Sequence, residues 1–245
     1  IPSYFSHIIR NFSNIIRNLK YFDDQSYQFQ HLFMDCNSII YDAVHNIPYE
    51  SNESNYEDMI IHEVIQRIDK YIASIRPTKT IFIAFDGVAP LAKMEQQRTR
   101  RHKTYFLSQL NFDESSGVIK KNWNTSAITP GTDFMNKLSK NLNNAFTYVE
   151  EKYNVQNVIV STSLEPGEGE HKLFDFLRKN NFKQDNVALY GLDSDLIMLS
   201  IFHMGYCNNI YNFREAPEFI KNSLPVNVKS NDPNEPYFLD IKCLC

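Results

Sequence analysis

Short apolar runs alternate along this chain with longer stretches in which apolar residues recur every three or four positions. The runs are His31 to Asp35, Thr80 to Phe85, Val158 to Val160 and Val187 to Tyr190, with a fifth at Ile210 to Phe213. Unbroken hydrophobicity bounded by Gly, Pro or Asp predicts strands buried on both faces of a sheet. The spacing between them predicts helices. Ile61, Val64, Ile65, Ile68, Ile72 and Ile75 share one face until Pro77, and Ser54-Asn55-Tyr56-Glu57 fits a capping box, giving a helix over 57–76. Phe134, Leu138, Leu142, Phe146, Val149 and Tyr153 predict a helix capped by Thr129 or Thr132 and running to about residue 152. Leu173, Phe174 and Leu177 mark another over 168–178, residues 91–107 read as a charged helix, and Cys36 to Val44 turns helical before a polar loop over 45–55.

At the start of the chain, Phe5, Ile8, Ile9, Phe12, Ile15, Ile16 and Leu19 form one stripe and predict a single amphipathic helix over 2–20. Arg10, Arg17 and Lys20 meet no acid there, so the same stripe also fits a transit peptide. Residues 111–127, holding the lone Trp123, read as a polar insertion loop and 214–236 as irregular, and Phe238-Leu239-Asp240-Ile241 begins a further element. With strand and helix alternating and neither repeat nor linker, the expected architecture is one α/β domain over 1–245. It would be Rossmann-like, with a mostly parallel central sheet flanked by helices.

Composition changes this picture little. The length suffices for a full core without disulfide staples, and the four cysteines show neither a zinc spacing nor a disulfide framework. A reducing compartment follows as the expectation, cytoplasmic with the nucleus as the alternative. No apolar run reaches the ~18 residues of a membrane span. Net charge is −4, from 25 basic and 29 acidic residues. This argues against a uniformly basic coat but leaves local patches open, since two divalent ions would cancel four negative charges.

Chemistry enters with six acids. Asp35, Asp86, Glu168, Glu170, Asp193 and Asp195 each stand where a predicted strand ends or the next helix begins, so they should converge at the carboxyl edge of the sheet. Gathered carboxylates lose their mutual repulsion most readily by binding hard cations such as Mg²⁺ or Mn²⁺. Any one of them alone would pass for a helix cap or a solvated surface charge. The chain has only seven glycines, yet Gly87, Gly167, Gly169 and Gly191 stand beside these acids, which suggests a crowded site. The pairs Glu168/Glu170 and Asp193/Asp195 suit two metal ions placed for in-line phosphodiester displacement, although phosphatases and calcium sites are compatible with the acids alone. Phosphate-loop and dinucleotide glycine motifs are missing from the sequence. His102 and His171 adjoin these motifs and are equally readable as structural.

Lys93, Gln97, Arg100 and Arg101 lie at i, i+4, i+7 and i+8, on one helical face just beyond Asp86-Gly87. A solvated helix face looks the same, but next to an acid cluster these residue types suit a phosphate clamp.

At this point the residues resemble a known family, the 5′→3′ exoribonucleases of the XRN type within the flap-nuclease and PIN-like superfamily. The carriers run from Ile1-Pro2-Ser3-Tyr4-Phe5 through Met34 to Ile40, Phe85 to Met94 with Gln96 to Arg101, and Ile128 to Thr132, to Pro166 to Lys172 and Tyr190 to Leu199. The resemblance implies that the six acids ligate two Mg²⁺ or Mn²⁺ ions and that Lys93, Gln97, Arg100 and Arg101 hold a 5′-monophosphate. It also implies that single-stranded RNA is degraded processively to mononucleotides. Tyr41 stands where the family usually has a base-stacking histidine. A seventh metal-ligating acid and a second stacking aromatic are implied beyond residue 245, in a downstream segment of a longer chain. Three alternatives stay open: a flap-type DNA endonuclease, an RNA-binding scaffold of the same fold that has lost turnover, and, more distantly, an α/β phosphatase of the dehalogenase type.

Overall fold

The computed structural model describes residues 4–49, 55–110, 123–215, 228 and 235–245, leaving aside the side chains at 104, 105 and 107–110. Seven strands form one sheet in the order β1-β7-β6-β5-β2-β3-β4. They are β1 (Ile16–Asn18), β2 (His31–Asp35), β3 (Thr80–Ala84), β4 (Asn157–Ser161), β5 (Phe182–Tyr190), β6 (Cys207–Glu215) and β7 (Pro236–Asp240). β2 to β6 run parallel, whereas β7 pairs antiparallel with β6 and with β1. The expected mostly parallel α/β sheet is therefore present, with an antiparallel edge added.

Strand side chains alternate between two cores, as a period of two demands. Leu32, Met34, Ile81, Ile83, Ala188 and Tyr190 face one core. That side is covered by α3 (Asn37–Asn46), α4 (Tyr56–Ile75) and α6 (Asp133–Phe146), with α2 (Leu19–Asp24) at its edge. Phe33, Phe82, Ala84, Val187 and Leu189 face the other, under α1 (Tyr4–Asn11), α8 (Gly169–Lys179), α9 (Asp195–His203) and α10 (Ile241–Leu244). Among the described residues the remaining α-helices are α5 (Leu91–Leu110) and the single turn α7 (Glu150–Tyr153).

The expectation of one helix over 2–20 is overturned. α1 stops at Asn11, Phe12 is exposed, Ser13–Ile15 makes a 3₁₀ turn, and β1 follows before α2. Ile16 pairs with Leu239 across the sheet, and this distant partner overrides the local helical stripe. The helix expected to reach residue 152 ends at Phe146, because Thr147 is extended and Tyr148 takes a left-handed φ of 58°. Thr132 is its cap, accepting from the Met135 N–H. Ser54 of the expected capping box lies outside the described residues, and Asn55 caps α4 without a side-chain hydrogen bond. Of the expected insertion loop, 111–122 lies outside the described residues, while 125–127 form a 3₁₀ turn and Trp123 packs on Phe134 at 5.0 Å. The stretch expected to be irregular over 214–236 is entered by β6 at one end and β7 at the other; 216–227 and 229–234 lie outside the described residues.

Candidate active site

The strand order reverses at β2, which has β3 on one side and β5 on the other, and ligands of open α/β sheets sit at the carboxyl ends of the strands beside such a point. Asp35 ends β2, Asp86 follows β3 by two residues, Glu168 is the N-cap of α8 and Glu170 its second residue. Asp193 lies in the turn after β5, and Asp195, exposed, opens α9.

These acids feel one another. Burial, and then the charges of Asp86, Glu170 and Asp193, push the Asp35 carboxyl well above the usual carboxylate range. Burial likewise raises Asp86, with Glu168 adding to the shift while the Gly169 N–H, Lys93 and Lys172 oppose it. Glu170 is raised by burial and by Glu168 and Asp193, against His171 and Lys93. Asp35, Asp86, Glu168, Glu170 and Asp193 thus form one electrostatic cluster.

The backbone is shaped around them. A Cβ at position 169 would stand 2.4 Å from Asp35 Oδ1, and one at 87 would stand 1.8 Å from the Glu165 carbonyl oxygen, so both positions need glycine. Gly87 N–H donates to Gly167 O at 2.8 Å and Gly167 N–H to Val88 O at 3.0 Å, joining the loops that carry Asp86 and Glu168. Asp86 Oδ1 accepts from the Gly169 N–H at 2.7 Å and Oδ2 from Asn37 Nδ2 at 2.7 Å, and the Asp86 N–H donates to Asn37 Oδ1 at 3.2 Å.

The donor set fits a hard divalent cation. Asp35 Oδ1 is buried without a hydrogen-bond partner, and ligand atoms of Glu168, Glu170 and His171 lie within 4.8 Å of one another. Oxygen-rich carboxylate sites of this kind suit Mg²⁺, Mn²⁺ or Ca²⁺.

On α5, partial burial recurs at Lys93, Gln97 and Arg101, while Met94 to Gln96 and Arg98 to Arg100 are exposed. Three of the four expected clamp residues, Lys93, Gln97 and Arg101, therefore share an inward face, while Arg100 is exposed. Lys93 Nζ hydrogen-bonds Glu168 Oε2 directly. Burial alone would lower the Lys93 ammonium, but Glu168, Glu170 and Asp86 outweigh it and hold its pKa above the usual lysine range. Tyr41, half-exposed on α3, lies within the fields of both Arg101 and Asp86; burial raises its hydroxyl, Asp86 adds to the shift and Arg101 opposes it. A 630 Å³ groove between α3, α4 and the end of β6 balances Asp42, Glu63 and Glu215 against Arg67, Lys70 and Arg214. It offers a polyanion no net attraction.

Two residues that sequence reasoning did not assign belong to the site. Asn37 grips Asp86 as described, and Lys172 Nζ donates to Phe85 O at 2.8 Å and Thr162 O at 2.9 Å, tying the ends of β3 and β4 beneath the acids. Neither is a carboxylate. What points to them is adjacency, in Asp35-Cys36-Asn37 and Glu170-His171-Lys172.

Residues 1–215 match the family described as the XRN 5′-3′ exonuclease N-terminus. The chain belongs to that family. The 5′-3′ exoribonuclease 2 of Schizosaccharomyces pombe is 36% identical over 197 residues, covering 69% of this chain and 19% of that protein. The 5′-3′ exoribonuclease 1 of Saccharomyces cerevisiae is 34% identical over 215 residues, covering 82% and 14%. The chain therefore spans about a fifth or less of the length of these XRN relatives. Among solved structures, the catalytic core of Rad2 in complex with DNA substrate aligns with 98% of this chain and 54% of its own at 16% identity and a TM-score of 0.44.

Proposed function

We propose that this chain is the nuclease segment of a divalent-metal-dependent 5′→3′ exoribonuclease that removes mononucleotides processively from single-stranded RNA bearing a 5′-monophosphate. The observation that carries this reading is the contact between Lys93 and Glu168: the cationic face of α5 abuts the acid cluster, so a phosphate gripped by one lies beside the other. Asp35, Asp86, Glu168, Glu170, Asp193 and Asp195 would hold two Mg²⁺ or Mn²⁺ ions. Such ions, when bound, activate a water and stabilise the leaving oxygen of an in-line displacement. The chain's own residues set where cleavage falls. Lys93, Gln97, Arg100 and Arg101 hold the terminal phosphate, Tyr41 offers a ring for the first base, and the next phosphodiester is left at the acids. The unit removed is then one nucleotide.

Matched RNAs bearing 5′-monophosphate, 5′-triphosphate or 5′-hydroxyl, with a DNA counterpart, test this in Mg²⁺. Rapid release of mononucleotides from the monophosphorylated RNA alone is expected. Equal use of all ends, internal cuts, or preference for DNA would overturn the proposal. Arg101→Ala should reduce the preference for monophosphate by about 10- to 100-fold, since a hydrogen bond to a charged group contributes about 1.5–3 kcal/mol. An unchanged preference would remove Arg101 from the clamp.

A further inference from the structure

We propose that Asn37 is a positioning residue for metal binding, fixing the Asp86 carboxylate in its ligating orientation before a cation arrives. This rests on the reading of the acids as a divalent-metal site. The sheet register creates the pairing. Asp35 of β2 lies opposite Ala84 of β3, so Asn37 and Asp86, each two residues further on, leave the sheet side by side. Asn37 then closes two hydrogen bonds on one partner, Nδ2 to Asp86 Oδ2 at 2.7 Å and the Asp86 N–H to Oδ1 at 3.2 Å. The orientation of the amide follows from these partners, because a carboxylate needs a donor and an N–H needs an acceptor.

The chemistry of the partner matters. Lys93 meets Glu168 with a positive charge that offsets the acid's own, whereas a neutral amide restrains a carboxylate and leaves its charge intact. With the Gly169 N–H on Oδ1, each Asp86 oxygen has one protein donor and keeps further lone-pair capacity for a metal. Left free, a carboxylate beside Asp35 and Glu168, whose charges it feels, would turn from its like-charged neighbours. Removing an outer partner of this kind typically costs about 10- to 100-fold in metal affinity or activity.

The test is Mn²⁺ titration calorimetry on the full 245-residue chain, comparing wild type, Asp86→Ala, Asn37→Ala and Asn37→Leu, with thermal melts of each in chelator. Wild type should bind Mn²⁺ and Asp86→Ala should lose that binding. Both Asn37 variants should bind about 10- to 100-fold more weakly with unchanged stoichiometry, while melting in chelator close to wild type. Wild-type affinity in the Asn37 variants overturns the proposal, including when their melting temperature falls, because Asn37 is then only a structural tie. Should neither variant fold, nitrogen-15 NMR of the wild type in chelator decides. One Asn37 side-chain NH₂ proton slowed in exchange supports the proposal, and rapid exchange of both overturns it. A wild type that binds no Mn²⁺, or an Asp86→Ala that binds it equally, overturns the metal reading itself and this inference with it.

Discussion

At Gly169 the first turn of α8 passes so close to Asp35 that a methyl group has nowhere to go, its Cβ falling 2.4 Å from a carboxylate oxygen. The Gly169 N–H is also the donor to Asp86, so one backbone unit both approaches one acid and holds another. Gly169→Ala should therefore cost stability of about 1–3 kcal/mol from overpacking and on the order of 100-fold in turnover from a displaced carboxylate. Gly205→Ala, where the added Cβ meets nothing within 4 Å, should leave turnover unchanged. Urea unfolding and mononucleotide release from monophosphorylated RNA measure both effects, and a fully active Gly169→Ala would contradict the packing described. The gathering of Asp35, Asp86, Glu168, Glu170 and Asp193 was legible in the sequence because strand-end carboxylates beside scarce glycines form a pattern. For Asn37 adjacency to Asp35 is the only signal in the sequence, and its partner Asp86, 49 residues on, is brought to it by β2–β3 pairing.

Among the elements, strands of the parallel core announced themselves by composition, while β1 and the antiparallel edge did not. Ile15 and Ile16 are both buried, which a helical stripe also satisfies, and only β7, more than 200 residues away, decides the matter. α9 carries no periodic signal for a related reason: Leu196 to Leu199 with Ile201 and Phe202 is apolar all round and lacks a stripe. Its last residue, His203, is locked in one tautomer. Arg178 donates to Nε2 at 2.8 Å, so Nδ1–H donates to Leu199 O at 2.7 Å, and the ring stacks on Phe174 at 4.5 Å. Burial, helped by the Arg178 charge and opposed by Leu199, lowers the His203 pKa. A lowered histidine binds fewer protons folded than unfolded, so its contribution is complete above the unfolded value of about 6.5 and is lost as pH falls below it. The stability difference between wild type and His203→Gln should accordingly shrink from pH 8 to pH 5.5 in urea titrations. His31, also lowered by burial, cancels in that difference. A pH-independent difference would refute the tautomer lock.

For the molecule as a whole, the acid cluster sets folding against function. Asp35, Asp86 and Glu170 are raised by burial and mutual repulsion, so the folded state holds protons that the unfolded chain has released. Their contribution therefore turns unfavourable as pH rises from the unfolded carboxylate range through the folded values. Cations compete with those protons, and a ligand at 100 times its Kd adds about 2.7 kcal/mol per site. Melts in chelator should thus show a burden on stability at pH 8 that Mg²⁺ removes, with a larger Mg²⁺-induced rise in Tm at pH 8 than at pH 6. Glu170→Gln should melt higher than wild type in chelator at pH 8 and gain less from Mg²⁺, because the Glu170 charge is one of those that raise Asp35. A neutral amide there relieves repulsion, yet it also withdraws an anionic ligand. If Glu170→Gln instead melted lower in chelator and gained as much from Mg²⁺ as wild type, the acids would not be the source of the strain, and the cation would be binding elsewhere.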